Sequence, residues 1–205
     1  MINLINPKDG LSTFFHSMTK DTSLGGKVVI PKDRRLWPKN WSEIEYKSYP
    51  YVNKIKLLPL EDCRIDACYS DLLESRKSSR DFSSSEEIQK SKFNLKSISM
   101  ILQNSVGLSG RTQVDSVLKT ELKFRNTPSA GARYPLEYYL LIENCLDIPP
   151  GLYHYNILEN SLEEISPGSQ ISKNKRLFGY EFAEKASCKV FVTAVFNRTT
   201  RKYGE

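Results

Sequence analysis

Three short runs in this 205-residue chain carry side chains able to bind or transform a ligand. The first is Arg76-Lys77-Ser78-Ser79-Arg80. Its cations and hydroxyls suit a phosphomonoester: arginine offers a planar fork, lysine a point charge and serine a neutral donor. The same residues also make an ordinary solvated basic turn. The second run is Thr127-Pro-Ser-Ala-Gly-Ala-Arg-Tyr-Pro135. Ser129, Ala130 and Gly131 are small enough to let the backbone approach a flat ligand, with N–H groups and the Ser129 hydroxyl free to bond its rim. An ordinary helix-to-strand loop has the same look. The run is neither a dinucleotide fingerprint nor a Walker loop, because it holds one glycine and no strand-glycine-helix unit surrounds it. The third run is Arg201-Lys202-Tyr203. A cation beside a phenol favours phenolate and so helps a proton to move. Adjacent side chains on a helix diverge by about 100°, so the pair need not reach one atom; a plain basic helix start is the alternative.

The histidines carry less. His16 and His154 have no acidic neighbour in sequence, and His154 in an alternating strand reads as a packed ring; only the fold can build a triad around it. Cys63, Cys68, Cys145 and Cys188 form no CxxC pair, so no zinc site is expected. Each reads as a reduced, small, buried apolar residue.

Around these runs the elements can be placed. Residues 1–60 are rich in proline, with Trp37, Trp41, Tyr46, Tyr49 and Tyr51 between. Proline at that density breaks helices and central strands, and the aromatics need a surface to cover. We read an extended arm over a domain spanning 61–205. Residues 66–75 read as a short helix, and Ser83-Ser84-Ser85-Glu86-Glu87 as a turn and helix start. Ile98, Ile101, Leu102 and Val106 recur at helical spacing, with Gly107 at the end of the helix. Residues 109–126 are polar and read as a mobile loop. Residues 136–142 read as a strand buried on both faces. Residues 151–156 and 161–165 read as a hairpin. Residues 175–185 look helical, and 190–196 form the strongest strand, expected to be central. Helices before and between strands indicate an α+β fold with a mixed or antiparallel central sheet.

Composition sets the outer bounds. The net charge is +6 with a pI near 9.0, which suits an anionic partner without choosing one. Charges of both signs are scattered, with no basic stripe for nucleic acid. No apolar run approaches the roughly 20 residues of a membrane span, and the N-terminus lacks a signal-peptide pattern, so a cytoplasmic protein is expected.

Taken in order, these motifs resemble the nitroreductase superfamily of flavoproteins, and within it the SagB-type dehydrogenases that include azoline oxidases. Arg76 to Phe82 is similar to the family's flavin-phosphate segment. Arg125 to Glu137 is similar to its Pro-Ser-x-Gly-x-x-Tyr-Pro segment, and Gly151 to Tyr155 to the hairpin that follows. Residues 15–20 and 46–50 resemble its arm, and Lys202-Tyr203 its Lys-Tyr pair. The resemblance implies a nitroreductase-like α+β fold with a mostly antiparallel sheet flanked by helices, FMN, and a homodimer. It implies that Arg76, Lys77, Ser78 and Arg80 hold the phosphate and ring edge. Pro128, Ser129 and Gly131 would flank the isoalloxazine, and Lys202 and Tyr203 would handle a proton. The implied reaction is oxidation of a thiazoline or oxazoline to the azole in a ribosomally made peptide, and a cyclodehydratase complex is the partner it suggests. Family members continue beyond the Lys-Tyr pair, so the fold is expected to be C-terminally incomplete. An FMN nitro- or quinone reductase, and an inactive remnant or scaffold subunit, are the other functions expected from this resemblance.

Overall fold

The computed structural model describes residues 33–36, 44–63, 66–78, 93–114, 121–169 and 186–203. Strand β1 (Lys54–Lys56) precedes helix α1 (Tyr69–Ser75) and helix α2 (Leu95–Ser105). Then come β2 (Leu108–Val114), β3 (Glu121–Arg125), β4 (Leu136–Ile142), β5 (Gly151–Asn156), β6 (Ser161–Pro167), β7 (Cys188–Ala194) and helix α3 (Asn197–Tyr203). The main sheet has the order β1-β6-β5-β4-β7, and every neighbouring pair is antiparallel.

Strand alternation divides this sheet chemically. Tyr138, Leu140 and Ile142 of β4 join Tyr153 and Tyr155 of β5 and Leu162 of β6 in one apolar core. Ile98 and Leu102 of α2 and Leu57 complete it. Each large apolar side chain buried here contributes about 1.5–3 kcal/mol. The intervening residues Glu137, His154 and Glu163 are buried and polar instead. His154 stands opposite Tyr139 in one register and opposite Glu163 in the other, so these side chains share the second face. The segment 44–53 lies against that face. The Tyr49 backbone N–H donates to Glu163 Oε2 at 2.9 Å, and the Tyr49 and Tyr139 hydroxyls are 3.0 Å apart. Of the aromatics expected to cover a surface, Tyr49 packs on this polar face and Tyr46 against Arg125, Tyr51 is 98% exposed, and Trp37 and Trp41 lie outside the described residues.

Helix α2 forms where the spacing places it. Asn94 caps it, its Oδ1 accepting from Ser97 N at 2.9 Å. Gly107 follows the helix end, and a Cβ there would lie 2.8 Å from the Gln103 carbonyl oxygen; close backbone approach, not a positive φ, requires this glycine. Two expectations are corrected. The described parts of 109–126 are not an irregular loop: β2 and β3 pair antiparallel, with a register shift between Leu108 and Thr112, where Gly110 has φ +73°. The ladder bonds backbone to backbone, so polar side chains on both strands hide it from a hydrophobicity count. Strand β7 lies at the sheet edge among the described residues, with Val190 and Val192 52% and 55% exposed. A uniformly apolar run does not reveal how many faces it buries. Helix α1 forms as expected, but Leu72 and Leu73 are exposed. The expected elements at 83–87 and 175–185, and His16, lie outside the described residues.

The cysteines separate by environment. All four are free thiols; Cys63 is buried and Cys68 is exposed, against the expectation of burial. Hydrogen bonds from Ser70 and Asp71 hold the Cys68 thiol below its ordinary value. Burial pushes Cys188 up to about 12. At pH 8, iodoacetamide is expected to alkylate Cys68 at least about tenfold faster than Cys188. Peptide mass mapping of a labelling time course checks this, and equal rates would contradict it.

Candidate active site

The site is built on the segment between β3 and β4. Its start is tied to the end of α2: Asn126 N donates to the Gly107 carbonyl at 2.9 Å and Asn126 Nδ2 to the Gln103 carbonyl at 2.6 Å. Its middle is a short 3₁₀ turn, Ala130–Ala132. Ser129 Oγ accepts from Tyr134 N at 2.8 Å, so its oxygen braces the turn and its proton is left to donate elsewhere. Tyr134 Oη accepts from Arg125 N at 3.1 Å and closes the segment on itself. Within it Gly131, Ala132 and Tyr134 have φ of +55°, +55° and +45°. The left-handed region costs a non-glycine residue about 1–2 kcal/mol, and such strain clusters at functional sites.

Helix α3 is docked beside this turn by buried charge. Arg198 Nη1 donates to the Tyr134 carbonyl at 2.9 Å and to Glu137 Oε1. Glu137 Oε2 meets His154 Nε2 at 3.0 Å, and His154 Nδ1 meets Glu163 Oε2 at 2.9 Å. Glu163 Oε1 accepts from Asn156 Nδ2 at 2.8 Å and lies 3.3 Å from Lys54 Nζ. Burial alone pushes the Glu137 carboxyl up, but the His154 hydrogen bond and the Arg198 charge outweigh it and leave it below its ordinary value. At Glu163 burial also pushes upward, and the bonds to Asn156, His154 and Tyr49 reverse the sign.

With α3 so held, the second and third sequence runs meet. A Cβ on Gly131 would lie 2.3 Å from Tyr203 Oη and 2.8 Å from Lys202 Nζ. The two adjacent side chains of the pair therefore converge on one backbone position despite their angular divergence. Lys202 is buried and Tyr203 half-buried, with the ammonium 5.6 Å from the phenol ring centroid. Pro128, Ala130 and Gly131 are exposed at the tip of the turn. Arg76, Lys77 and Ser78 are exposed beyond the end of α1, where Arg76 Nη1 donates to Ser78 Oγ at 3.4 Å. None of these three lines either of the two cavities described beside the turn. Arg80 and Ser79 lie outside the described residues.

A cavity of about 290 Å³ opens beside the turn, lined by Arg125, Pro128, Ser129, Tyr134, Leu136 and Tyr138. Thr199 of α3 also reaches it. Sequence reasoning missed Arg125, Glu137, Arg198 and the acidic partners of His154 as site residues. Glu137 had a signal, a carboxylate inside an otherwise apolar strand. Arg198 had one too, one helical turn before Lys202. Among the described residues, no group of three His, Cys, Asp or Glu side chains could hold a metal ion, and no helix is long and apolar enough to cross a membrane.

This architecture is a nitroreductase-like α+β fold. It matches the crystal structure of a putative nitroreductase from Anabaena variabilis with a TM-score of 0.56 and 22% identity. The match covers 78% of this chain and 28% of that one. In sequence the chain is similar to a putative nitroreductase of Methanocaldococcus jannaschii, with 27% identity over 157 residues. Those residues are 74% of this chain and 67% of the relative. No family model matches the chain.

Proposed function

We propose that this chain is an FMN-dependent oxidoreductase acting on a small ring, working as a homodimer. One observation carries the reading: a strained small-residue turn and a Lys-Tyr pair, some seventy residues apart in sequence, share one point in space at Gly131. The likeness to two nitroreductases supplies the reaction class. The residues present fit a flavin. Exposed Pro128, Ala130 and Gly131 offer a flat, side-chain-poor surface for a ring face, and the Ser129 hydroxyl keeps a proton for a ring heteroatom. Arg76, Lys77, Ser78 and Arg80 remain the proposed phosphate group.

FMN held there supplies the two-electron chemistry. The protein's own work is orientation and proton handling. Tyr203 offers an O–H at Gly131, and the Lys202 ammonium beside it stabilises negative charge on that oxygen when the proton moves. This arrangement favours one finer reading, oxidation of a peptide azoline to the azole. Aromatisation removes two hydrogens from the ring, one as a hydride, which is the two-electron chemistry bound FMN would supply, and one as a proton, which the Tyr203 oxygen can accept once its own proton has left.

Purified full-length protein is expected to take up added FMN and show the absorbance of an oxidised protein-bound flavin. Tyr203→Phe and Lys202→Met are expected to keep flavin uptake and lower turnover about 10²-fold or more. Assays with reduced nicotinamide and a nitroarene, against a thiazoline peptide, separate the two reactions. A folded protein that takes up no flavin overturns the proposal.

A further inference from the structure

The cavity beside the turn is lined by a buried cation, Arg125, that makes no carboxylate contact among the described residues. Arg125 is 6% exposed, yet its side chain makes one long hydrogen bond, Nη1 to the Leu136 carbonyl at 3.4 Å. Its Nε has no partner. Aromatic faces hold it: the guanidinium carbon is 5.1 Å from the Tyr46 ring centroid and 4.9 Å from that of Tyr134. Glu137 attracts it electrostatically, but neither neighbouring buried carboxylate is in contact with it. Glu137 is taken by Arg198 and His154, and Glu163 by Asn156, His154, Lys54 and the Tyr49 backbone. Lys54 pairs with Glu159 at 2.8 Å and Glu163 at 3.3 Å, and Arg198 pairs with Glu137, so Arg125 is the cation of this group without a carboxylate contact. Burial acts on it in the same sense, holding the guanidinium below its ordinary value. A buried, poorly bonded charge is costly, and a bound anion relieves that cost.

The rest of the cavity says what carries the anion. Pro128, Tyr134, Pro135, Leu136 and Tyr138 make its walls largely apolar and partly aromatic. A volume of about 290 Å³ is at the small end for ligand sites and suits a single ring. Inorganic phosphate would find too few donors to replace its water. A carboxylate on a flat ring finds both halves of its chemistry: a planar fork for the oxygens and apolar walls for the ring. We infer that this cavity binds a ring-bearing carboxylate, with Arg125 recognising the carboxylate oxygens. As a statement of substrate class this rests on the oxidoreductase reading, since the cavity and the proposed flavin surface share Pro128, Ser129 and Ala130; as a statement of binding it stands alone.

Benzoate and its neutral isostere benzamide are the probes, titrated calorimetrically into the full-length protein. Benzoate is expected to bind at least about tenfold more tightly than benzamide, the discrimination a charge-assisted hydrogen bond provides. Arg125→Met keeps the packing against Tyr46 and Tyr134 and is expected to abolish that preference; Arg125→Lys is expected to keep part of it. Equal affinity of the wild type for the two probes, or no binding of either, overturns the inference without any variant. So does full discrimination surviving in Arg125→Met. Flavin uptake is measured on the same samples. Benzoate preference without flavin uptake leaves the site standing and removes the oxidoreductase reading; flavin uptake without benzoate preference does the reverse.

Discussion

Replacing Glu137 with alanine is expected to lower the unfolding free energy by about 3–5 kcal/mol. The carboxylate is 2% exposed and holds Arg198 on one oxygen and His154 on the other. Its removal strands the Arg198 guanidinium in the interior, where the Nε already lacks a partner. It also frees one end of a buried imidazole. Breaking one side of a buried ion pair is this costly because the remaining charge stays desolvated. For a chain of this size the loss corresponds to about 6–20 °C in Tm. Glu137→Gln keeps hydrogen-bonding capacity and should lose less. Thermal unfolding of both variants checks the ranking, and a change under about 1 kcal/mol for the alanine variant would remove the buried network from any account of stability.

The same network predicts an acid dependence. Glu137 and Glu163 both sit below their ordinary value of 4.5 in the folded chain. A carboxyl held lower in the folded state than in the unfolded state binds fewer protons when folded. Its stabilisation is therefore complete above about pH 4.5, the ordinary value, and is lost as pH falls through the depressed folded values. Urea midpoints between pH 7 and pH 3 should fall less steeply in Glu137→Ala than in the wild type. Parallel curves would show that Glu137 does not couple to folding through its proton.

Gly131→Ala is expected to separate stability from turnover. The position has φ +55°, and the new methyl would fall 2.3 Å from Tyr203 Oη and 2.8 Å from Lys202 Nζ. Both are the far ends of flexible side chains, so the fold can yield, and the backbone penalty is about 1–2 kcal/mol. The Lys-Tyr pair must move by an ångström or more to admit the methyl. A displacement of that size at reacting groups costs about 10²-fold in rate. On the proposed function, Gly131→Ala therefore retains flavin uptake and loses turnover about 10²-fold, while Gly110→Ala shows no such loss. Gly110 also has a positive φ, of +73°, but nothing lies within 4 Å of its missing Cβ. Equal loss in both variants would assign the effect to backbone strain alone.

Much of the architecture was legible because it is local. Residues 136–142 are a compact apolar run, and the structure makes them β4. The alternation at 151–156 and 161–165 becomes β5 and β6 around a turn with Asn160 at φ +50°. Spacing alone placed α2. The β2–β3 ladder was not legible, since its polar strands leave no mark on apolar periodicity. The edge position of β7 was not legible either, because strand order is a property of pairing between distant segments.

By itself the sequence determined the elements, the small-residue turn, the basic pair at α3 and the resemblance they carry in order. Each of these depends on neighbours a few residues away, so periodicity and residue type suffice. Only the tertiary structure decided that Gly131 meets Lys202 and Tyr203, that His154 lies between two carboxylates, and that Arg125 is buried without one. Those facts depend on which strands pair and which face each residue turns inward. Burial and charge compensation are set there, by segments more than a hundred residues apart, as when the Tyr49 backbone bonds to Glu163.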